Sequence, residues 1–257
     1  VKKVHEDHIE AGADVITTNT YACTPISMKN YGMESLIKKF NQKSVELGKK
    51  AIENSKKKVA LAGSVSASGS FFRYGIDALK PGFNEQIKIL SEEGVDLIIL
   101  EAMSSQADIV ETMLECSIKI KIPVWLSISC VIDKKTDNLM LGYNDTLDDP
   151  PEVYEDLEKS IKRFSKIHSG PILIAHSDID VTGRAIKVAK KNYTGTIGAY
   201  PNIGFYEKPH WRSDSNLSPQ DYLNEVKSWV QNGTQIVGGC CGVGVNLIKP
   251  LSSLNNE

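Results

Sequence analysis

The chain has 257 residues, 41% hydrophobic and 24% charged, a balance that fits one large globular domain or two small ones and excludes disordered, collagenous and disulfide-scaffold classes. A formal net charge of −2 supplies no field to draw in nucleic acid or an anionic membrane surface. No apolar run approaches the roughly 18 residues of a membrane span; the expectation is a soluble protein that acts on small molecules, with no nucleic-acid or membrane partner.

In chain order, residues 1–11 read as a helix already under way. Short runs rich in Val and Ile then alternate with amphipathic stretches, the rhythm of βα units around a parallel sheet. Strands are expected at 13–18, 59–64, 96–101, 124–129, 172–176, 196–199 and 235–238. Helices are expected between them. Leu36, Phe40, Leu47 and Ala51 are spaced to share one buried face, and further helices are read at 84–93, 106–119, 151–167, 183–191 and 219–232. Ser218-Pro219 and Asp149-Pro150 suit helix starts. The stretch 130–146, with Asp137-Asn138 as a turn signal, reads as a long βα loop carrying a small hairpin.

Seven parallel strands leave a curled sheet with open edges. The simplest layout is a single-domain (β/α)8 TIM barrel over 1–257, with its first strand and the following loop ahead of Val1. An open doubly wound sheet is the competitor, but no Gly-x-Gly-x-x-Gly follows the first strand.

In such a barrel the active site is built at the C-terminal ends of the strands, here 17–21, 63–66, 101–103, 127–130, 176–178, 200–204 and 238–242. The last holds Gly238-Gly239-Cys240-Cys241-Gly242. Its glycines let the backbone turn so that two neighbouring thiols face one pocket, and a soft metal suits them better than a strained bridge between adjacent cysteines. The five cysteines are odd in number and otherwise scattered. This points to a reducing compartment, the cytoplasm, with free or metal-bound thiols. Cys23, Cys116 and Cys130 read as buried or half-buried thiols. His5 and His8 read as a solvated helix face.

The segments Ala11-Gly12-Ala13-Asp14-Val15-Ile16-Thr17-Thr18-Asn19-Thr20-Tyr21, Leu100-Glu101-Ala102-Met103, Tyr200-Pro201-Asn202-Ile203-Gly204 and Val237-Gly238-Gly239-Cys240-Cys241-Gly242 together resemble the homocysteine S-methyltransferase family, in order and over nearly the whole chain. The resemblance implies a zinc-containing (β/α)8 barrel. It implies methyl transfer to the thiol of homocysteine or a related compound, giving methionine or an analogue. Cys240 and Cys241 would hold Zn²⁺, Glu101 would bind the substrate ammonium, and Thr18 and Asn19 would line the amino-acid pocket. The partners are then the thiol and a methyl donor, which could be S-methylmethionine, S-adenosylmethionine, a betaine or a methylfolate; a homo-oligomer is compatible with this reading.

Two departures stand out. The family's first strand, with an Asp-Gly motif and a substrate-binding acid, is not in this sequence. Where the family has Asn-Cys at the end of the sixth strand, this chain has His176-Ser177, so Ser177 stands in the place of the third zinc thiolate. His176 would complete a Cys2His set only by leaving the strand, because adjacent strand residues face opposite sides; Asp178 is another substitute. The alternative reading is a barrel of the same ancestry without thiol activation, which binds or acts on another small metabolite. A truncated, inactive domain is a third.

Overall fold

A computed structural model describes residues 1–67, 75–103, 105–146, 150–208, 210–213 and 217–256. The chain divides into two compact units, Val1–Ala102 with Asp108–Leu126, and Met103–Ala107 with Ser127–Glu257. All seven expected strands form, within a residue or two of the expected limits.

The first unit runs α1 (Lys2–Glu10), β1 (Val15–Thr17), α2 (Pro25–Asn30), α3 (Ile37–Ser55), β2 (Ala60–Ser66), α4 (Ile76–Glu92), β3 (Leu97–Glu101), α5 (Ala107–Ser117) and β4 (Val124–Ile128). Strands β1, β2 and β3 are parallel, with Val15 opposite Ala60 and Ala62 opposite Leu97. Burial along β2 and β3 is nearly continuous, the mark of a parallel sheet covered on both faces.

Two helices here differ from their sequence reading. The buried face of α3 is Ile37, Asn41, Ser44, Val45, Gly48 and Ala51; of the expected stripe Ala51 is buried, but the face otherwise lies one residue on from Leu36, Phe40 and Leu47, and Phe40 is 39% exposed. Gly48 sets that phase: a Cβ there would lie 2.6 Å from Leu61 Cδ1, so the backbone itself packs on β2. Helix α4 begins at Ile76 rather than residue 84 and carries Pro81 inside it. Proline and glycine are poor helix residues, yet Gly82 is where this helix packs against Pro25 of α2, 3.4 Å from a Cβ position.

The second unit continues with β5 (Cys130–Ile132), β6 (Leu139–Tyr143), β7 (Glu152–Asp156), α6 (Leu157–Phe164), β8 (Ile172–Ala175), α7 (Ile179–Asn192), β9 (Ile197–Tyr200), β10 (Phe205–Glu207), β11 (His210–Arg212), α8 (Pro219–Gln231), β12 (Ile236–Val237) and α9 (Val245–Ile248). Parallel β8, β9 and β12 form its core sheet, with Leu173 and Ile236 each opposite Gly198. The expected hairpin is β5–β6, antiparallel, and β7 adds a third strand to it.

That third strand corrects the helix expected over 151–167. Residues 152–156 pair with β6, and the helix starts at Leu157, where Asp156 accepts the Lys159 N–H at 3.0 Å. An Asp cap inside the expected helix, followed by Leu157, Ser160, Ile161 and Phe164 on one buried face, locates the true start. Asp149 of the expected Asp149-Pro150 cap lies outside the described residues, as do Ser68 and Gly69 after β2. Helix α7 likewise starts earlier, at Ile179, with Gly183 inside it, and the β10–β11 hairpin has no counterpart in the sequence reading.

Candidate metal and thiol site

The end of β8 is shaped by Ser177. Its buried hydroxyl donates to the Ala175 carbonyl and accepts the Cys130 N–H, both at 2.8 Å, which fastens the strand end to the start of β5. Between them His176 takes a left-handed backbone, φ 47°, a region uncommon outside glycine that costs of order 1 kcal/mol. The strand's alternation ends there, and the imidazole turns out of it.

The two cysteines sit in a loop held by the segment that follows β9. Cys240 N–H donates to the Pro201 carbonyl at 2.9 Å, Ile203 N–H donates to the Cys241 carbonyl at 2.8 Å, and Cys241 N–H donates to Asn202 Oδ1 at 3.2 Å. Gly242 closes the turn at φ 79°, and a Cβ there would meet the Ile203 carbonyl oxygen at 1.9 Å; only glycine fits. Both sulfurs consequently face the same side, 3.9 Å apart.

His176 Nδ1 lies 3.8 Å from Cys240 Sγ and 3.9 Å from Cys241 Sγ. A tetrahedral zinc ion with Zn–S near 2.3 Å and Zn–N near 2.0 Å separates its sulfurs by about 3.8 Å and sulfur from nitrogen by about 3.6 Å. The three donors therefore fit a zinc ion within a few tenths of an ångström. The Asn202 side-chain amide nitrogen is 3.1 Å from Nδ1. On the far edge of the ring, Nε2 is 2.8 Å from Asp145 Oδ1. Trp211, on β11, walls one side, its ring centre 6.1 Å from the imidazole's and its Nε1 donating to the Ile203 carbonyl at 2.7 Å.

The electrostatics match the geometry. The hydrogen bond from Cys240 holds the Cys241 thiol down at about 5, against the opposing effect of burial and with help from His176. Burial works to lower the His176 pKa, but Asp145 and Cys241 outweigh it and raise it to about 10. The two groups thus favour each other's charged forms, and a metal ion that takes both sulfurs as thiolates and the imidazole as a neutral donor displaces protons from the site.

Of the sequence candidates, then, Cys240, Cys241 and His176 come together. Ser177 spends its hydroxyl on backbone, and Asp178 is exposed at the start of α7. Sequence reasoning misses Asp145 and Trp211. Nothing in the sequence around Asp145 marks it, since its partner His176 is distant along the chain and the hairpin that delivers it reads only as a loop feature.

Thr18, Asn19 and Glu101 all belong to the first unit. Thr18 Oγ1 accepts the Ser64 N–H at 3.0 Å and meets Thr20 Oγ1 at 2.8 Å, while Thr20 Oγ1 donates to the Ser64 carbonyl at 2.6 Å. These hydroxyls extend the β1–β2 ladder past the last strand residue. Ser64 in turn donates its own hydroxyl to Glu101 Oε2, so Thr18, Ser64 and Glu101 form one chain. Asn19 is exposed, and its carbonyl accepts the Ser44 hydroxyl at 3.2 Å.

Other candidates resolve simply. His5 is buried rather than solvated, because α1 lays it against the core with Ile9; His8 bonds the Val4 carbonyl at 2.9 Å. Cys116 and Cys130 are buried and Cys23 is half-buried; none of the five cysteines is in a disulfide. Among the described residues no helix is long and apolar enough to cross a membrane.

Comparison with known proteins gives the fold and the family. The homocysteine methyltransferase MmuM from Escherichia coli, in its metallated form, superposes with a TM-score of 0.75 over 98% of this chain and 83% of that one, at 19% identity. The fold is therefore α/β of the (β/α)8-barrel class. The model of the homocysteine S-methyltransferase family matches residues 1–254, and the chain belongs to that family of enzymes. Relatives include homocysteine S-methyltransferase 3 of Zea mays, 25% identical over 100% of this chain and 80% of its own length, and a selenocysteine methyltransferase of Astragalus bisulcatus, 26% identical over 97% and 80%. Membership supports methyl transfer to a small-molecule thiol in general.

Proposed function

We propose that this enzyme methylates homocysteine or a closely related thiol or selenol, giving methionine or its analogue, at a zinc centre held by Cys240, Cys241 and His176. The observation that carries the reading is the mutual spacing of the three donors, 3.8 to 3.9 Å. A free alkyl thiol, with a pKa near 8.5, is mostly protonated at neutral pH; bound zinc supplies the Lewis acidity that favours its nucleophilic thiolate form. The chain's own residues do the rest. Gly242 and the backbone bonds from the segment after β9 hold both sulfurs on one side, and the left-handed turn at His176 delivers the nitrogen donor.

By the family resemblance Glu101 binds the substrate ammonium, with Ser64 orienting one of its oxygens. Thr18 acts by building the turn that carries Asn19. Five cysteines without a disulfide support a reducing, cytoplasmic setting. Ser177 motivates the rival reading, a barrel without thiol activation, but the approach of His176 to both sulfurs weighs against it.

The test is metal content of protein purified without added zinc, wild type against Cys240→Ser, followed by methyl transfer to homocysteine with each donor in turn. Near-stoichiometric zinc that is lost in the variant, with methionine formed from one donor, is the expected result. No zinc in either protein would remove the mechanism.

A further inference from the structure

We propose that Asp145 is a positioning residue for the metal centre: its carboxylate, 2.8 Å from Nε2, fixes the His176 ring so that Nδ1 completes the donor set with Cys240 and Cys241. The inference rests on the Cys2His reading above and deepens it. Asp145 follows β6, in the connection to β7, and so belongs to the three-stranded insertion rather than to a βα loop of the core sheet. Its backbone is pinned, since its carbonyl accepts the Tyr206 N–H of β10 at 2.6 Å. Its Oδ1 is wholly buried, makes an ion-pair contact with Nε2 at 2.8 Å, and has no well-aligned hydrogen bond to any other described group.

The need for such a brace follows from the substitution at the strand end. A cysteine ligand has one donor atom on a short side chain. An imidazole has two nitrogens, and each ring orientation or tautomer presents a different one. His176 also sits just past its strand, in a left-handed backbone, so the ladder does not hold it. A carboxylate that accepts the Nε2 proton leaves Nδ1 as the lone-pair donor and stops the ring from turning. It does a second thing. Two thiolates and a neutral imidazole carry one negative charge fewer than three thiolates, and Asp145 returns that charge one bond further out without occupying a ligand position.

Zinc affinity measured by competition with a chromophoric chelator tests this in four full-length proteins: wild type, Asp145→Asn, His176→Cys and the double variant. The thiol introduced by His176→Cys is a ligand that needs no brace. Asp145→Asn is expected to weaken zinc binding roughly 10- to 100-fold beside His176 and to leave it unchanged in the His176→Cys background. A further readout is the absorption of the cobalt-substituted proteins, where Asp145→Asn should alter the ligand-field bands while the sulfur charge-transfer bands persist. Equal weakening in both backgrounds would mean that Asp145 only supports the fold and would overturn the proposal, as would no effect in either. His176→Ala separates this from the parent reading. If that variant binds zinc as tightly as wild type, the Cys2His site itself fails; if it binds weakly while Asp145→Asn does not, only the role of Asp145 fails.

Discussion

The strand ends of the two units use opposite chemistry on the same βα rhythm. In the first unit they are hydroxyls, Thr18, Thr20, Ser64 and Ser66, which bond backbone or each other and leave one carboxylate, Glu101, as the charged group. In the second, hydroxyls such as Ser177 still bond backbone, but two sulfurs and an imidazole with a carboxylate beside it gather as well. The first set works by prolonging the regular ladder past the last strand residue. The second works by leaving it, through positive φ at His176 and Gly242. Regular backbone thus positions a carboxylate, and irregular backbone gathers groups that alternation would scatter.

Removing a donor should break the contrast most. Cys240→Ser takes away one of three donors, worth about 3 kcal/mol or roughly 100-fold or more in zinc affinity if the free energy of a structural zinc site is shared among its ligands. Chelator competition and methyl-transfer assays should both register the loss. Glu101→Gln acts on the other set: the KM for the amino-acid thiol should rise about 10- to 100-fold, as expected when a charge-assisted bond is lost, while zinc affinity stays unchanged. A matching fall in zinc affinity would show that the two sets are not separable.

Ser177→Cys is the informative intermediate case. It restores the family's residue, yet the wild-type hydroxyl is committed to Ala175 and Cys130. Thermal or urea denaturation should show a loss of about 1–2 kcal/mol as the Cys130 N–H loses its partner, with no gain in zinc affinity.

The smallest effect concerns His5, whose pKa burial lowers from its ordinary 6.5. The unfolded chain takes up a proton near that value and the folded one resists it, so stability present above pH 6.5 is lost as the pH falls through it. His5→Leu should flatten that slope by less than about 1 kcal/mol in denaturation curves at pH 7 and 5.

Much of this is legible in the sequence. The seven strands are short, mostly apolar runs that each carry Val or Ile, and parallel burial on both faces leaves that signal intact. The paired cysteines with their glycines announce a turn and a soft ligand set. The phase of α3 is not legible, because it is set by Gly48, a residue without a side chain, packing on Leu61. Nor is β7, since Glu152–Asp156 pairs with a hairpin whose own extent the turn signal does not reveal. His176 is readable as a candidate, but its turn toward the sulfurs depends on bonds that Ser177 makes with β5, which no local pattern encodes. Asp145 depends on the same insertion and is tertiary throughout.

X-ray absorption at the zinc edge of the zinc-loaded full-length protein addresses the central claim most directly. Two sulfur scatterers near 2.3 Å and an imidazole nitrogen near 2.0 Å, the nitrogen shell vanishing in His176→Ala, is the predicted result. A shell of three sulfurs, or one of nitrogen and oxygen alone, would contradict it.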